Sequence, residues 1–175
     1  MTLRLIDSFE NVPVLFFLPR TVPVLPGKYQ WSNFNVGVRT FSGRLITLQA
    51  DVTCCSFYDG SAALTRVTLI FRPSSYFEIT AGRETNSIDL PTGKVDIHLS
   101  TADAAVNFTP DMQIALQAQY DNISENFGFS ARYRWEYHPG NELFVGGGQT
   151  ALISNRGFIG QVTQATIRLG HTFRF

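Results

Sequence analysis

The sequence predicts an all-β fold, an antiparallel up-and-down transmembrane β-barrel, or a part of one, with about ten strands here. Three observations predict it. Apolar and polar residues alternate with a period of two almost throughout, and amphipathic helical periodicity is nearly absent. The alternating runs are about 9 to 12 residues long, whereas soluble strands cluster near 5 or 6 and strands that cross a bilayer need about 9 to 11. Tight turns alternate with longer loops, the asymmetry expected of outer-membrane barrels, and a soluble sandwich gives no reason for it.

Composition fits the same picture. The 175 residues suffice for one domain, 1–175, and 14 Lys+Arg balance 14 Asp+Glu, so no basic excess points to nucleic acid. Charged residues make up only 16%, against about 25% in typical soluble domains, while Phe alone numbers 15. Mean hydropathy is +0.00, and no apolar run approaches the roughly 18 residues that a membrane-crossing helix requires. Asp7 and Glu10 interrupt the N-terminal run, which has no basic leader and no small-residue cleavage site, so it does not read as a signal peptide. The expectation is a C-terminal segment of a longer secreted chain.

The strands are expected at 2–8, 29–39, 44–54, 62–72, 76–85, 94–107, 112–120, 126–137, 141–149 and 163–175. In the third, Ile46, Leu48, Ala50, Val52 and Cys54 oppose Thr47, Gln49, Asp51 and Thr53; in the fourth, Val67, Leu69 and Phe71 oppose Arg66, Thr68 and Arg72. The sixth has apolar residues at odd positions before Thr101 and at even positions after it, so a bulge there is expected. In the seventh, Met112, Ile114, Leu116, Ala118 and Tyr120 oppose Gln113, Ala115, Gln117 and Gln119. In the eighth, Phe127, Phe129, Ala131, Tyr133, Trp135 and Tyr137 oppose Ser130, Arg132, Arg134 and Glu136. Tight turns are expected at 40–43, 73–75, 109–111 and 138–141, and longer loops at 9–28, 55–61, 86–93, 121–125 and 150–162.

The alternation sorts the candidate functional residues. Tyr133, Trp135 and Tyr137, with Phe34 and Trp31 or Tyr29, read as interfacial aromatics, because an amphipathic ring suits the headgroup boundary. On the polar faces, Arg66, Arg72, Arg132, Arg134, Glu136, Asp51 and Glu78 form a charge cluster of the lumen, together with Arg168, Arg174 and Glu84. An unpaired charge in a narrow barrel is costly, so cross-strand ion pairs are one reading and a charged constriction selecting solutes is the other. Twelve arginines against two lysines suit either, because the guanidinium fork favours fixed pairing.

Catalytic chemistry finds little support. His98, with Ser100, is expected on the lumen side, His138 in a turn and His171 on the last strand, none with an evident partner. Glu84, Asp121 and Glu125 read as rim acids, and the acids of 51–60 lack the spacing of a metal loop. No metal and no cofactor are expected. Cys54 and Cys55, neighbours in a strand, should face opposite sides and stay separate.

The final run places Ile167, Leu169, His171, Phe173 and Phe175 at alternate positions and ends on the aromatic residue. This resembles the insertion signal of bacterial outer-membrane barrels, which implies the barrel assembly machinery as a partner. Gln119-Tyr-Asp121, Phe108-Thr-Pro110 and the run Arg132-Tyr-Arg-Trp-Glu-Tyr-His-Pro-Gly-Asn-Glu-Leu-Phe-Val145 are similar to an uncharacterised outer-membrane barrel family. The likeness covers roughly residues 20–175, and Gly146-Gly-Gly148 departs from the bulkier residues of that family. Members of the family are longer and carry a module like family-9 carbohydrate-binding modules. The resemblance implies a bacterial outer-membrane location and a role as membrane anchor, with a solute channel in prospect, for such an upstream module. An outer-membrane hydrolase and a soluble ligand-binding barrel are the alternatives.

Overall fold

The computed structural model describes residues 1–154 and 157–172. Ten strands form one antiparallel sheet in which each strand pairs with the next along the chain. They are β1 (Thr2–Val12), β4 (Gly27–Arg39), β5 (Ile46–Phe57), β6 (Gly60–Ser74), β7 (Phe77–Leu90), β8 (Gly93–Thr109), β9 (Met112–Asp121), β10 (Asn126–His138), β11 (Asn141–Ser154) and β12 (Gly157–His171). The remaining two, β2 (Phe16–Leu18) and β3 (Val22–Val24), make a small separate hairpin within the β1–β4 connection. The fold is thus an all-β, ten-stranded up-and-down sheet. Among the described residues it is open: β1 and β12 are its two edges and do not pair with each other.

All ten expected strands occur in order, but those at the β2–β3 end run further than expected. Segments 55–61 and 86–93 are not long loops. Two-residue turns at Tyr58–Asp59 and Pro91–Thr92 close them, and strand continues on either side. The strict short–long alternation of connections is therefore absent. Residues 13–26 form the one long connection at that end among the described residues.

The physical reason is a change of polarity at constant period. Register keeps Ser100, His98, Asp96 and Lys94 of β8 on the same face as Ala102, Ala104 and Val106. Leu99, Ile97 and Val95 share the other face with Thr101 and Asp103. No register shift occurs near Thr101, so the expected bulge is corrected; the irregularity of β8 lies between Asn107 and Thr109. Face chemistry inverts while the backbone stays regular.

The two faces of the sheet have opposite surroundings. The β2–β3 hairpin folds onto one, the covered face. There Val22 and Val24 join Val12, Ile88, Leu90 and Val95 in a cluster whose members are at most 5% exposed. The Thr92 hydroxyl ties the hairpin down by donating to the Pro23 carbonyl at 2.6 Å. The other, bare face shows Leu5, Phe34, Ile46, Leu48, Val67, Leu69, Ile79, Leu116, Phe129, Trp135 and Ile167, all large and all exposed. Charged strand residues on the bare face (Asp7, Lys28, Arg83, Asp89, Lys94 and Asp96) lie between mid-strand, at Asp7 and Arg83, and the hairpin end. The rest of that face is an uncharged belt.

Strand register is staggered. A row of facing residues runs from Ala131, in the middle of β10, through Leu116, Ala104, Ile79 and Phe71 to Ile46, the first residue of β5. Such an offset is what strands tilted to a common axis produce.

Candidate functional site

The covered face carries the polar groups, and the strands set their positions two residues apart. Near the hairpin end it is aromatic. Tyr58 occupies the β5–β6 turn at φ 50°, a left-handed conformation that costs a non-glycine residue roughly 1 kcal/mol. Ring packing holds it there, with centroids 4.5 Å from Phe57, 5.0 Å from Tyr29, 5.1 Å from Trp31 and 6.1 Å from Phe16. Its hydroxyl donates to Glu10 Oε2 at 2.8 Å. Burial, then the bond to the Glu10 carboxylate, pushes the Tyr58 phenol up to about 12. Tyr29 and Trp31 thus belong to a covered-face cluster, which corrects their reading as interfacial rings; Phe34 is on the bare face.

The charge cluster divides into two groups of ion pairs. On β6 and β7, Arg66 meets Glu84 at 2.7 Å, and Arg72 pairs with Glu78. On β10 to β12, Glu142 accepts from Arg134 at 2.7 Å and from Arg168 at 3.2 Å, while Glu136 stands 3.7 Å from Arg134. Arg168 also lies over the Phe144 ring, 5.4 Å from its centroid. Arg132 faces Ala115 and Gly146, and Asp51 faces Gly37 and Arg66. Glu142 and Glu10 carry these contacts and were missed from sequence. Glu142 follows directly on a turn, and Glu10 falls within the expected loop 9–28. The run of alternation through Asn141–Val145 was the signal that could have placed Glu142.

A cavity of about 630 Å3 lies on β9 to β12, lined mostly by amides, hydroxyls and glycine, with Asp121, Phe129 and Val162 also on its wall. A vicinal disulfide joins Cys54 and Cys55, correcting the expectation of two separate thiols.

The residues weighed for catalysis do not converge. His98 sits on the bare face with Ser100, not on the face of the charge cluster as expected, because register and not local polarity sets its direction. His138 is the last residue of β10 and stacks edge-on against Tyr137 at 5.7 Å. Glu84 and Asp121 are separated by Leu99, and Asp121 Oδ1 accepts the Ile123 and Ser124 amides. No group of three metal-ligating side chains occurs among the described residues.

On the bare face near the terminal end, Trp135 and Tyr137 pack edge to face at 5.8 Å, both 42% exposed, with Tyr133 beside them. Ile167 and Leu169 point the same way from the edge strand β12 and are 75% and 73% exposed. Phe173, Arg174 and Phe175 lie outside the described residues. No protein-family model, curated protein or solved structure matches this chain.

Proposed function

We propose that this chain forms the wall of a membrane-spanning β-barrel in a bacterial outer membrane, where it anchors a longer protein and lines a path for solutes. The observation that carries the reading is the uncharged, aromatic-edged bare face. Ten strands present exposed Leu, Ile, Val and Phe in a continuous band, far beyond the few hundred Å2 of apolar patch that soluble monomers tolerate. Along β10 the band runs from Phe127 to Tyr137, about 33 Å of strand and, at a tilt of 45°, about 23 Å of depth. Outer-membrane barrels carry an apolar band of about 25 Å flanked by aromatic girdles. Trp135 and Tyr137 supply one girdle, and the charged collar from Asp7 to Asp96 supplies the wet boundary above.

On this reading the covered face is the lumen. Its ion pairs are the ordered charges of a narrow interior, and the β2–β3 hairpin narrows one mouth. The even strand count leaves β1 and β12 antiparallel, so they can close on each other or pair with further strands of a larger barrel. The partners are outer-membrane lipid, the barrel assembly machinery acting on Ile167, Leu169, Phe173 and Phe175, and an upstream module of the carbohydrate-binding kind.

Refolding from urea tests the reading. The protein should fold only with detergent or lipid, and the folded form should run faster on a gel unheated than boiled. A chain that folds and stays monomeric in buffer alone would contradict the proposal and favour a soluble β-protein.

A further inference from the structure

The groove on β9 to β12 differs from the arginine-bearing parts of the covered face. One row of facing residues crosses its four strands as Gln117, Ser130, Gly148 and Gln164. The next row runs through Gln119, Gly128, Thr150 and Val162, whose apolar side chain forms one wall. Glycines in the middle strands leave the floor empty, and amides and hydroxyls stand around it. A Cβ on Gly148 would come within 3.0 Å of the Phe129 carbonyl, so the saddle depends on a bare backbone. The volume, about 630 Å3, falls within the roughly 300–1,000 Å3 of small-molecule sites.

Among the described residues, the side chains of Gln117, Gln119, Gln164, Ser130 and Thr150 make no hydrogen bond to another protein group. Each amide offers two N–H donors and an acceptor oxygen, and each hydroxyl one donor and an acceptor oxygen. Lys and Arg are missing from the lining, and carboxylates flank it: Asp121 within the cavity and Asp103 beside Gln117. Anions are therefore disfavoured. A molecule bearing many neutral hydroxyls, each both donor and acceptor, matches this surface.

We propose that the groove binds a neutral polyhydroxylated solute, a sugar or polyol, through Gln117, Gln119, Ser130, Thr150 and Gln164. The proposal names the solute class for the lumen and rests on the barrel reading for its place there. Calorimetry on the full chain in zwitterionic-detergent micelles tests it, with maltohexaose as the neutral probe and hexagalacturonate as the acidic one. Maltohexaose should bind and hexagalacturonate should bind at least tenfold more weakly. Gly128→Leu fills the floor and should cost tenfold or more in affinity; a Cβ there meets only Thr150 Cγ2, at 3.8 Å. Gln117→Leu and Gln164→Leu should each cost about two- to tenfold, the net worth of a neutral hydrogen bond. Gln113→Leu, outside the groove, should leave affinity unchanged. If Gly128→Leu fails to fold, the two glutamine variants, which add no bulk, decide the matter.

Absent maltohexaose binding, equal binding of the acidic probe, or affinity indifferent to these substitutions would overturn the groove. Insertion into lipid vesicles is measured on the same preparations. A chain that inserts without binding sugar overturns only the groove. Sugar binding by a chain that never inserts supports the groove and overturns the membrane reading.

Discussion

Tyr58 shows how one residue couples three parts of the molecule. It sits in a strained turn between β5 and β6, bonds to Glu10 of β1 and packs on Phe16 of the hairpin. Tyr58→Phe should keep the packing and lose the bond, lowering stability by about 1 kcal/mol in a urea titration at neutral pH. The phenol is raised from 10.0 to about 12 on folding, so the folded state favours the protonated form. Its contribution is then complete below pH 10 and is lost as the pH rises from 10 through 12. The gap between wild type and Tyr58→Phe should accordingly narrow across that window, and a gap constant to pH 12 would contradict the assignment. Glu142 is the counterpart among the ion pairs, accepting from both Arg134 and Arg168, yet these groups are open to solvent and add little to stability.

At the level of elements, sidedness is the testable property. Leu116 and Gln117 are neighbours in β9, one on the bare face and one on the covered face. In lipid vesicles Leu116→Arg should cost roughly 2–4 kcal/mol, whereas Gln117→Arg should cost far less; equal costs would contradict a lipid-facing belt. The hairpin makes a separate prediction. Val24, 2% exposed, anchors β3 over Ile88, Leu90 and Val95, so Val24→Ala should cost about 2 kcal/mol without changing strand content by circular dichroism. The belt segments of the strands were legible because Met112–Tyr120 and Phe127–Tyr137 alternate cleanly. The hairpin is not, because Pro23 sits inside one of its three-residue strands and Pro13, Pro19 and Pro26 flank them. The upper parts of β7 and β8 were misread because Ile88, Leu90 and Val95 turn their apolar side to the covered face, reversing the sign of the pattern. Of the candidate site, the arginines and their face were legible from parity. Their partners were not, because which acid meets which arginine depends on register and turn length. The groove escaped notice because glutamine and glycine give no signal of their own until register aligns Gln117, Ser130, Gly148 and Gln164.

The whole molecule is a sheet with one greasy, uncharged side and one side that is polar, charged and partly plugged. In water such a sheet would bury its bare face by closing, stacking or aggregating; in a bilayer the same face is satisfied as it stands. The edges β1 and β12 add to this, because their unpaired backbone groups require a partner strand at membrane depth. The two tryptophans sit on opposite faces and so report on the central claim directly: Trp135 belongs to the bare face and Trp31 to the covered aromatic cluster. The measurement is fluorescence quenching by brominated lipid in vesicles containing Trp31→Phe or Trp135→Phe, each leaving a single reporter. Brominated chains should strongly quench Trp135 and leave Trp31 nearly unaffected. Quenching of Trp31 as strong as that of Trp135, or quenching of neither, would contradict the account.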